Sequence, residues 1–418
     1  MGRDLEAQTF SKMSAWEKID GHLGTPAGFR GAAVASGLKK VKGALDLALL
    51  FSDVPATSAA GVFTTNLAAA EPVKISRLHL KSSRGLARAI VVNSGNANAC
   101  TGALGKKAAL ETTRAVARLM GIPTQQVLVA STGVIGVPLK LERITRQLPA
   151  LRASLTHQNA SGIARAIMTT DTFPKCCAVR SRIDGRTVHI AGVAKGAGMI
   201  HPRMATMLSF LTTDARVRPN TLARLLRQAV EVSFNRVSVD GDTSTNDTVL
   251  VLANGASGAN LRPGTRDAAH FLAGLVELCQ KLAKMIARDG EGARKLVTVE
   301  ISGARNDRDA ERIARAIVNS PLVKTAIAGA DPNWGRIICA AGYSGAKFDP
   351  SMVDIRVNDF YLCRRGLDAA FDEAAAKREL DRKELTLRVD LRQGKGSALM
   401  WTCDLTHDYI TINASYRT

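Results

Sequence analysis

The stretch KGAGMIHPRMATMLSFLTTDA occupies residues 195–215, close to the middle of the 418-residue chain. It begins with a glycine-rich turn and ends in an apolar run, and between the two lies the pair Ala205-Thr206. Glycine allows a backbone to approach a site that residues with a side chain would block. The pattern therefore predicts that the chain delivers one threonine hydroxyl to the start of an apolar segment.

A threonine hydroxyl is a useful nucleophile only when a base lies beside it. Its own α-amine, with a pKa of about 8 in water, can be that base once the chain is cut before the threonine. Ala205 adds little bulk on the acyl side of such a cut. The letters MAT also fit a structural threonine in the first turn of a helix, so the residues alone leave both interpretations open.

The composition is that of an ordinary soluble globular protein, with 46% hydrophobic and 22% charged residues. No run approaches the roughly 18 consecutive apolar residues that indicate a membrane span. Residues 1–22 mix acids with bases and lack the apolar core of a secretory signal. We expect residues 1–22 to be a short, loose leader, and the protein to be cytoplasmic and not associated with a membrane.

The formal charge of +20 favours either nucleic-acid binding or a field that attracts acidic metabolites. The basic residues are spread along the chain, and an aromatic content of only 4% leaves few platforms for stacking bases. We therefore expect no nucleic-acid partner. The seven cysteines and seven histidines are scattered without metal-ligand spacing, so we expect reduced thiols and no metal site.

Strand-like apolar runs alternate with helix-like periodic segments, which predicts an α/β or α+β fold. The later strands alternate apolar and polar residues, which favours a sheet with unlike faces. The predicted strands lie at 89–93, 127–131, 187–194, 248–254, 296–301, 353–357, 385–391 and 409–414, and predicted helices lie at 104–120 and from about 266 to a left-handed cap at Asp289-Gly290.

Polar, glycine-rich segments follow strand-like runs at residues 93–102, 131–136, 195–206 and 240–248. Loops of this kind commonly carry functional groups. The segment DGDTSTNDT, at 240–248, lacks the glycine and glutamate that an EF-hand needs, which favours a hydrogen-bonded turn. The chain contains no dinucleotide fingerprint, P-loop or GxSxG motif.

Longer strings of the sequence resemble the ornithine acetyltransferase family, also called glutamate N-acetyltransferase. These strings are KGAGMIHPRMATML, SVDGDTSTNDTVL, GADPNWGRI and VVNSGNANACTG, with TPAGFRGAAVASGLKK and AAGVFTTN nearer the N-terminus. The resemblance extends from about residue 23 to Thr418.

The resemblance implies a layered αββα sandwich and a precursor that cuts itself between Ala205 and Thr206. The two pieces, 23–205 and 206–418, would form one intertwined catalytic unit and associate as a heterotetramer with two copies of each. The implied activity is acetyl transfer from N²-acetylornithine to L-glutamate in arginine biosynthesis, without a cofactor. Some members of the family also use acetyl-CoA to acetylate glutamate.

By the same resemblance, Thr206 would be the nucleophile that accepts the acetyl group. Thr132 and Gly133 would form the oxyanion hole, since a hydroxyl and a backbone N–H can both point at a tetrahedral oxygen. Lys195 suits an α-carboxylate, and Glu291 suits an ammonium group. The implied substrate-binding residues are Thr170 (or its neighbour Thr169), Lys195, Thr206, Glu291, Asn413 and the terminal Thr418.

Two other hypotheses belong to different classes of protein. One is a self-cleaving aminopeptidase or amidohydrolase of the related fold, with water as the acceptor, and the other is a basic binding protein without catalysis. The segment DGDTSTNDT and the C-terminal NASYRT favour the transferase over the aminopeptidase. Cleavage before Thr206 would separate both enzymes from the binding protein.

Overall fold

A computed structural model describes residues 16–201 and 207–415. The predicted cleavage pair Ala205-Thr206 and the terminal Thr418 lie outside these residues. The α-helices are α1 Glu71–Ser82, α2 Gly102–Met120, α3 Leu141–Ala153, α4 Ile163–Ala166, α5 Pro219–Glu231, α6 Arg266–Arg288, α7 Asp307–Val318, α8 Pro321–Ala328, α9 Trp334–Gly342, α10 Glu373–Leu380 and α11 His407–Ser415. The strands are β1 Glu17–Ile19, β2 Phe29–Val34, β3 Leu47–Ser52, β4 Ser58–Phe63, β5 Ala89–Asn93, β6 Val127–Ser131, β7 Lys175–Ile183, β8 Arg186–Lys195, β9 Leu208–Thr213, β10 Arg216–Val217, β11 Thr248–Ala253, β12 Asn260–Leu261, β13 Leu296–Ala304, β14 Asp354–Val357, β15 Phe360–Arg364, β16 Leu367–Asp368, β17 Glu384–Asp390 and β18 Gly396–Cys403.

A mixed six-stranded sheet, in the order β1-β7-β8-β9-β11-β4, lies at the centre of the molecule. Strands β9 and β11 run parallel to each other, and their sequences, LSFLTT and TVLVLA, are buried along their whole length. Continuous burial is typical of strands that are covered on both faces. The neighbouring pairs β8–β9 and β11–β4 are antiparallel.

A four-stranded sheet, in the order β2-β3-β5-β6, packs face to face on the central sheet. Its side chains Leu50, Ile90 and Leu128 meet Phe210 and Leu250 of the central sheet in one apolar core. Burial of this apolar surface is the main favourable contribution to folding. The interface between the two sheets is therefore the middle layer of the molecule.

Helices cover the outer faces of both sheets. Helices α2 and α3 pack Val116 and Ile144 against the four-stranded sheet, and helices α5 and α6 pack Leu222 and Phe271 against the central sheet. The layers therefore run αββα, which confirms the fold predicted from the sequence. In the described ranges, no helix is long and apolar enough to cross a membrane.

A third sheet, in the order β16-β15-β14-β17-β13-β18, follows the sandwich. It has its own core, in which Val299, Ile313 and Leu387 are buried between the sheet and helices α7 to α10. Strand β17 alternates buried residues with residues that are partly or fully exposed, as predicted for a sheet with unlike faces. Strand β18 ends in Trp401 and Cys403, which join the core of the sandwich instead.

Residues 16–22 are packed against the sandwich, so the expectation of a loose leader is wrong for this part of residues 1–22. Strand β1 pairs antiparallel with β7. The indole of Trp16 is 5% exposed and donates a hydrogen bond from Nε1 to the His270 carbonyl oxygen at 2.9 Å. Its ring covers Gly274, where a Cβ atom would lie 2.2 Å from the ring, so a large apolar side chain fills a space that glycine leaves open.

Residues 409–414, predicted as a strand, belong to helix α11. The β-branched residues of YITINA suggested a strand, but β-propensity depends on context. The Thr406 hydroxyl accepts a hydrogen bond from the Asp408 N–H at 3.2 Å just before the helix. Helical spacing then places Tyr409 and Asn413 on the same face, where both line one cavity. These contacts decide the local structure.

The end of helix α6 also differs from the prediction. Asp289 is the C-cap, with φ −94°, and the residues with positive φ include Gly292 but not Gly290. A Cβ atom on Gly290 would lie 2.7 Å from Cys403 Sγ. Close packing, not a left-handed cap, therefore accounts for glycine at this position.

We expect Trp16→Ala to lower the free energy of unfolding by about 3–5 kcal/mol, because it leaves a cavity where a buried aromatic ring was. Urea denaturation of the variant and the parent protein measures the difference. Leu67→Ala is the control, since Leu67 is fully exposed and its truncation should change stability by less than about 0.5 kcal/mol. Equal effects of the two substitutions would contradict the packed position of Trp16.

Candidate active site

Strand register brings several polar residues to one edge of the central sheet. Strand β8 ends at Lys195, which is paired with Leu208 at the start of β9. Leu208 is in turn paired with Thr248 at the start of β11. Lys195, Met207 and Asp247 therefore lie at the same edge, although they are far apart in sequence.

The four-stranded sheet contributes a second edge at the same end of the sandwich. Parallel pairing of β5 with β6 sets Asn93 beside Ser131, so the glycine-rich segments that follow these strands run together. The Asn246 amide Nδ2 donates hydrogen bonds to the Ala97 carbonyl oxygen at 2.7 Å and to the Ser131 carbonyl oxygen at 2.8 Å. One side chain thus joins the segment before β11 to both loops of the other sheet.

A cavity of about 240 Å³ lies where these segments meet. The predicted site residues within the described ranges all line it, and so does the alternative residue Thr169. Ala205, Thr206 and Thr418 lie outside the described residues, so their predicted roles stay predictions. The predicted residues that line the cavity are Thr132, Gly133, Thr170, Lys195, Glu291 and Asn413.

The predicted oxyanion pair is held by close backbone contact. Gly133 has φ +126°, and a Cβ atom there would lie 2.5 Å from the backbone carbon of Gly95, so only glycine fits. The Lys195 ammonium donates to Thr132 Oγ1 at 3.4 Å. Since an ammonium group can only donate, this contact leaves the hydroxyl hydrogen of Thr132 for another acceptor.

Lys195 is buried at the base of the cavity. Its ammonium donates to Thr169 Oγ1 at 2.8 Å. Burial lowers the pKa of Lys195, the Asp171 carboxylate counteracts this effect, and the ammonium of Lys175 lowers the pKa further. Both Thr169 and Thr170 therefore line the cavity, and Thr169 accepts the hydrogen bond from Lys195.

Glu291 faces the cavity from the loop after helix α6. Its Oε2 accepts a hydrogen bond from Asn413 Nδ2 at 2.8 Å, and its backbone N–H donates to the Ala197 carbonyl oxygen at 2.9 Å. A Cβ atom on Gly198 would lie 2.4 Å from Glu291 Oε2. The glycine-rich segment therefore makes room for this carboxylate beside Lys195.

The sequence analysis did not single out several residues that line the cavity. The segment DGDTSTNDT does form a hydrogen-bonded turn, in which Asp240 Oδ1 accepts from the Asp242 N–H at 3.2 Å. The same turn also lines the cavity. The available signal was its own polar, glycine-rich composition, which is typical of loops that carry functional groups. The additional lining residues are Ala97, Ile135, Gly198, Met199, Asp240, Asp242, Ser244, Asn246 and Tyr409.

Asp240 fixes the backbone that leads toward the predicted cleavage pair. Its carboxylate accepts hydrogen bonds from the N–H groups of Met199 at 2.6 Å and Ile200 at 2.8 Å. Met199 is held at φ +55°, an uncommon conformation for a residue with a side chain. Burial raises the pKa of Asp240 to about 6, although the backbone N–H groups favour its charged form.

Asp247 lies on the other side of the predicted cleavage pair. Its Oδ1 accepts a hydrogen bond from the Met207 N–H at 2.9 Å, and its side chain is fully buried. Burial raises its pKa well above the usual range for a carboxyl group, against the effects of the Met207 N–H and the Lys195 ammonium. An ionisable group thus contacts the backbone of Met207, the first described residue after the gap.

The charges of the cavity fit a small zwitterion. Lys195 offers one ammonium group, and Glu291, Asp240 and Asp242 offer carboxyl groups. Thr132 and Gly133 line the same cavity. No group of three or more metal-ligating side chains occurs in the part of the chain that the structure describes. Fold and site together define an αββα enzyme that acts on a small charged molecule.

Comparison with known proteins agrees with this class. A model of the ArgJ family matches residues 30–418, and the chain belongs to that family. The arginine biosynthesis bifunctional protein ArgJ of Symbiobacterium thermophilum is 50% identical over 404 residues, which cover 96% of this chain and 100% of that protein. The protein of the same name from Geobacter sulfurreducens is 51% identical over 393 residues, 94% of this chain and 99% of that protein.

A crystal structure of the arginine biosynthesis bifunctional protein ArgJ from Bacillus halodurans is 45% identical, with a TM-score of 0.48, and covers 49% of this chain and 97% of that chain. Membership of the family confirms the family predicted from the sequence. It also confirms the prediction of an acyltransferase of arginine biosynthesis.

The raised pKa of Asp240 makes stability depend on pH. Its folded-state pKa of about 6 lies above the ordinary 3.8, so the folded protein binds more protons between these values, and stability falls as pH rises through them. Asp240→Asn lacks this titration. The variant should gain stability relative to the parent, by up to about 3 kcal/mol, between about pH 4 and pH 7.

Chemical denaturation of both proteins across that pH range measures the difference. The informative quantity is the slope of this difference in stability against pH. Loss of a hydrogen-bond acceptor changes the stability of the variant equally at every pH and adds nothing to the slope. A stability difference that stays flat over the range would contradict the raised pKa of Asp240.

Proposed function

We propose that this protein transfers an acetyl group from N²-acetylornithine to L-glutamate through an acetyl ester on Thr206. The observation that carries the proposal is one cavity in which a buried ammonium, a carboxylate and the pair Thr132-Gly133 converge. Lys195 and Glu291 lie in separate segments of the sequence, and neither segment alone predicts that the two charges lie close together. Their meeting in one cavity supports a site for amino acids.

The cavity suits what donor and acceptor have in common. Both are α-amino acids, so the Lys195 ammonium binds the α-carboxylate of each in turn. Charge-assisted hydrogen bonds of this kind are among the stronger ones in proteins. Glu291, fixed by Asn413 at 2.8 Å, binds the ammonium group of ornithine. A cavity of about 240 Å³ admits one such molecule at a time, which fits a reaction in two halves.

In the first half-reaction the Thr206 hydroxyl attacks the acetyl carbonyl carbon, and its proton passes to the α-amine of the same residue. Thr132 and Gly133 donate hydrogen bonds to the tetrahedral oxygen, and each such donor contributes about 10²–10³ in rate. The bond from carbon to the ornithine nitrogen then breaks, and that nitrogen takes the proton. In the second half-reaction the amine of glutamate attacks the ester carbonyl carbon, and the bond from that carbon to the Thr206 oxygen breaks. A proton from the attacking amine passes through the α-amine of Thr206 to this oxygen, which restores the hydroxyl as N-acetylglutamate leaves.

The α-amine becomes available when the precursor cuts itself between Ala205 and Thr206. The architecture supports such a cut, since β4, β7 and β8 precede it while β9 and β11 follow it in the same sheet. Pairing of β8 with β9 runs from Ile190 to Lys195, so ladder hydrogen bonds connect the two pieces. Residues 23–205 of the first fragment, which also carries residues 1–22, and residues 206–418 thereby form one intertwined catalytic unit after the cut.

Further parts of the proposal concern partners and location. The two pieces associate as a heterotetramer with two copies of each, in the cytoplasm, without a nucleic-acid partner. The relatives are named bifunctional, which supports acetyl-CoA as a second donor that forms the same ester on Thr206. No separate cofactor takes part, because the threonine itself carries the acetyl group.

The purified protein should run as two fragments of 205 and 213 residues on a denaturing gel, with Thr206 at the new N-terminus. Thr206→Ala should stay uncut and lose acetyl transfer, by a factor on the order of 10⁶ as for removal of other catalytic nucleophiles. Gel electrophoresis, N-terminal sequencing and an assay with acetylornithine and glutamate measure these outcomes.

Thr325→Ala is the matched control, since Thr325 is an exposed threonine of helix α8 that does not line the cavity. It should be cut and should transfer acetyl like the parent protein. Retained transfer by Thr206→Ala would overturn the proposed nucleophile. Release of free acetate instead of N-acetylglutamate would favour the hydrolase.

A further inference from the structure

A buried ion triad lies directly behind the cavity. The Lys175 ammonium at the start of β7 donates to Asp171 Oδ1 at 2.6 Å and to Asp289 Oδ2 at 2.5 Å. The side chains of Lys175 and Asp171 are fully buried, and that of Asp289 is 2% exposed. None of the three lines the cavity, and the mechanism above does not use them.

Asp171 connects two segments that carry predicted substrate contacts. Its Oδ2 accepts the Thr169 N–H at 3.0 Å, and its Oδ1 accepts the Gly196 N–H at 2.7 Å. Thr169 lies beside Thr170, and Gly196 follows Lys195 directly. The carboxylate thus fixes the backbone on both sides of the contact between Lys195 and Thr169.

Asp289 connects the third segment. It is the C-cap of helix α6 and lies two residues before Glu291. Its carboxylate accepts the Thr172 N–H at 3.1 Å and also the Thr172 hydroxyl. The loop that carries Glu291 is therefore tied to the loop that carries Thr170, and both are tied to Lys175.

We propose that Lys175, Asp171 and Asp289 are positioning residues, which hold the segments carrying Thr170, Lys195 and Glu291 at the spacing that an amino-acid substrate requires. This inference rests on the proposed acetyl transfer, because it assigns the triad a part in binding the substrates of that reaction. Its geometric basis is that one ammonium group contacts two carboxylates, and these carboxylates reach all three substrate segments.

The alternative is that the triad only stabilises the fold. A buried ion pair gains little net stability, because desolvation of the charges offsets their attraction, whereas removal of one partner leaves a buried charge uncompensated. Stability alone therefore gives little reason for a lysine and two aspartates here. Accurate placement of the substrate-binding groups is a reason for these three residues, since displacement by about 1 Å can lower a rate about 10²-fold.

Lys175→Met removes the ammonium and keeps an unbranched side chain of similar length. We expect it to raise KM for acetylornithine about 10-fold or more, and to lower kcat/KM by about 10²-fold, per mole of cut enzyme. The midpoint of thermal unfolding should also fall, because two buried carboxylates lose their counterion. Steady-state kinetics with the cleaved fraction measured on a gel gives these values.

Lys175→Met/Asp289→Asn separates positioning from folding. The double variant removes one positive and one negative charge, so Asp171 keeps the Lys195 ammonium as its partner and thermal stability should recover. The contact from Lys175 remains absent, so KM should stay raised. A control is Lys324→Met, since Lys324 is a buried lysine of helix α8 whose ammonium contacts Thr402 Oγ1 at 2.9 Å, outside the cavity. It should lower thermal stability and leave KM unchanged.

The pH profile reports the electrostatic contact between the triad and Lys195, while KM in the double variant tests positioning. The charged groups around Lys195 are Asp171, Lys175, Glu291, Asp247 and the half-buried Lys39. The ammonium of Lys175 lowers the pKa of Lys195. Activity should be lost as pH rises through the pKa of Lys195, because the neutral amine no longer attracts a carboxylate. Lys175→Met removes the like charge, so the alkaline limb of kcat/KM should move to higher pH.

The parent enzyme is measured first, so the two proposals fail in different ways. A parent protein without acetyl transfer contradicts the proposed function. A parent that transfers acetyl, together with a thermally stable double variant whose KM matches that of the parent, overturns the positioning role. Raised KM in both Lys175 variants, with Lys324→Met unchanged, supports that role.

Discussion

The pairing of β8 with β9 is the constraint on which the site depends. Antiparallel register sets Lys195 opposite Leu208, and parallel register between β9 and β11 sets Leu208 opposite Thr248. A shift of one residue would turn every side chain of β9 to the opposite face of the sheet and would carry Met207 away from Asp247. Strands β9 and β11 are buried along their whole length, so such a shift would also disrupt packing on both faces of these strands. The packing of the central sheet therefore determines the geometry of the end that carries Lys195, Met207 and Asp247.

Charge burial is the second theme of the site. Lys195, Lys175, Asp171 and Asp289 all lie out of water, and burial alone would raise the pKa of Asp171. The ammonium groups of Lys195 and Lys175 outweigh that effect and hold its pKa at about 2. A buried ammonium that is partly compensated by a carboxylate can still attract an anionic substrate, because the low local dielectric strengthens the interaction.

The sequence predicted the layers of the sandwich well, because their strands are continuous apolar runs that end in polar, glycine-rich segments. Strands β5 and β6 match residues 89–93 and 127–131, and β11 covers 248–253 of the predicted 248–254. The predicted residues that line the cavity were selected through the resemblance to a family. Spacing alone would not have selected Lys195 or Glu291.

Contacts between distant segments account for what the sequence did not predict. The composition of YITINA suggests a strand, and its helix follows from contacts of Tyr409 and Asn413 with groups more than 100 residues away. Trp16 appeared to belong to a loose leader because its pocket over Gly274 is formed far along the chain. The ion triad could not be predicted from the sequence either, since Lys175 and Asp289 are 114 positions apart.

The central claim is that one hydroxyl group, on Thr206, carries the acetyl group between two amino acids. The most direct test is mass spectrometry of the cut protein after incubation with acetylornithine in the absence of glutamate. The account predicts one added acetyl group on the fragment 206–418, located on its first residue, and its loss when glutamate is added. An enzyme that turns over both substrates yet never acquires an acetyl group on that fragment would contradict it.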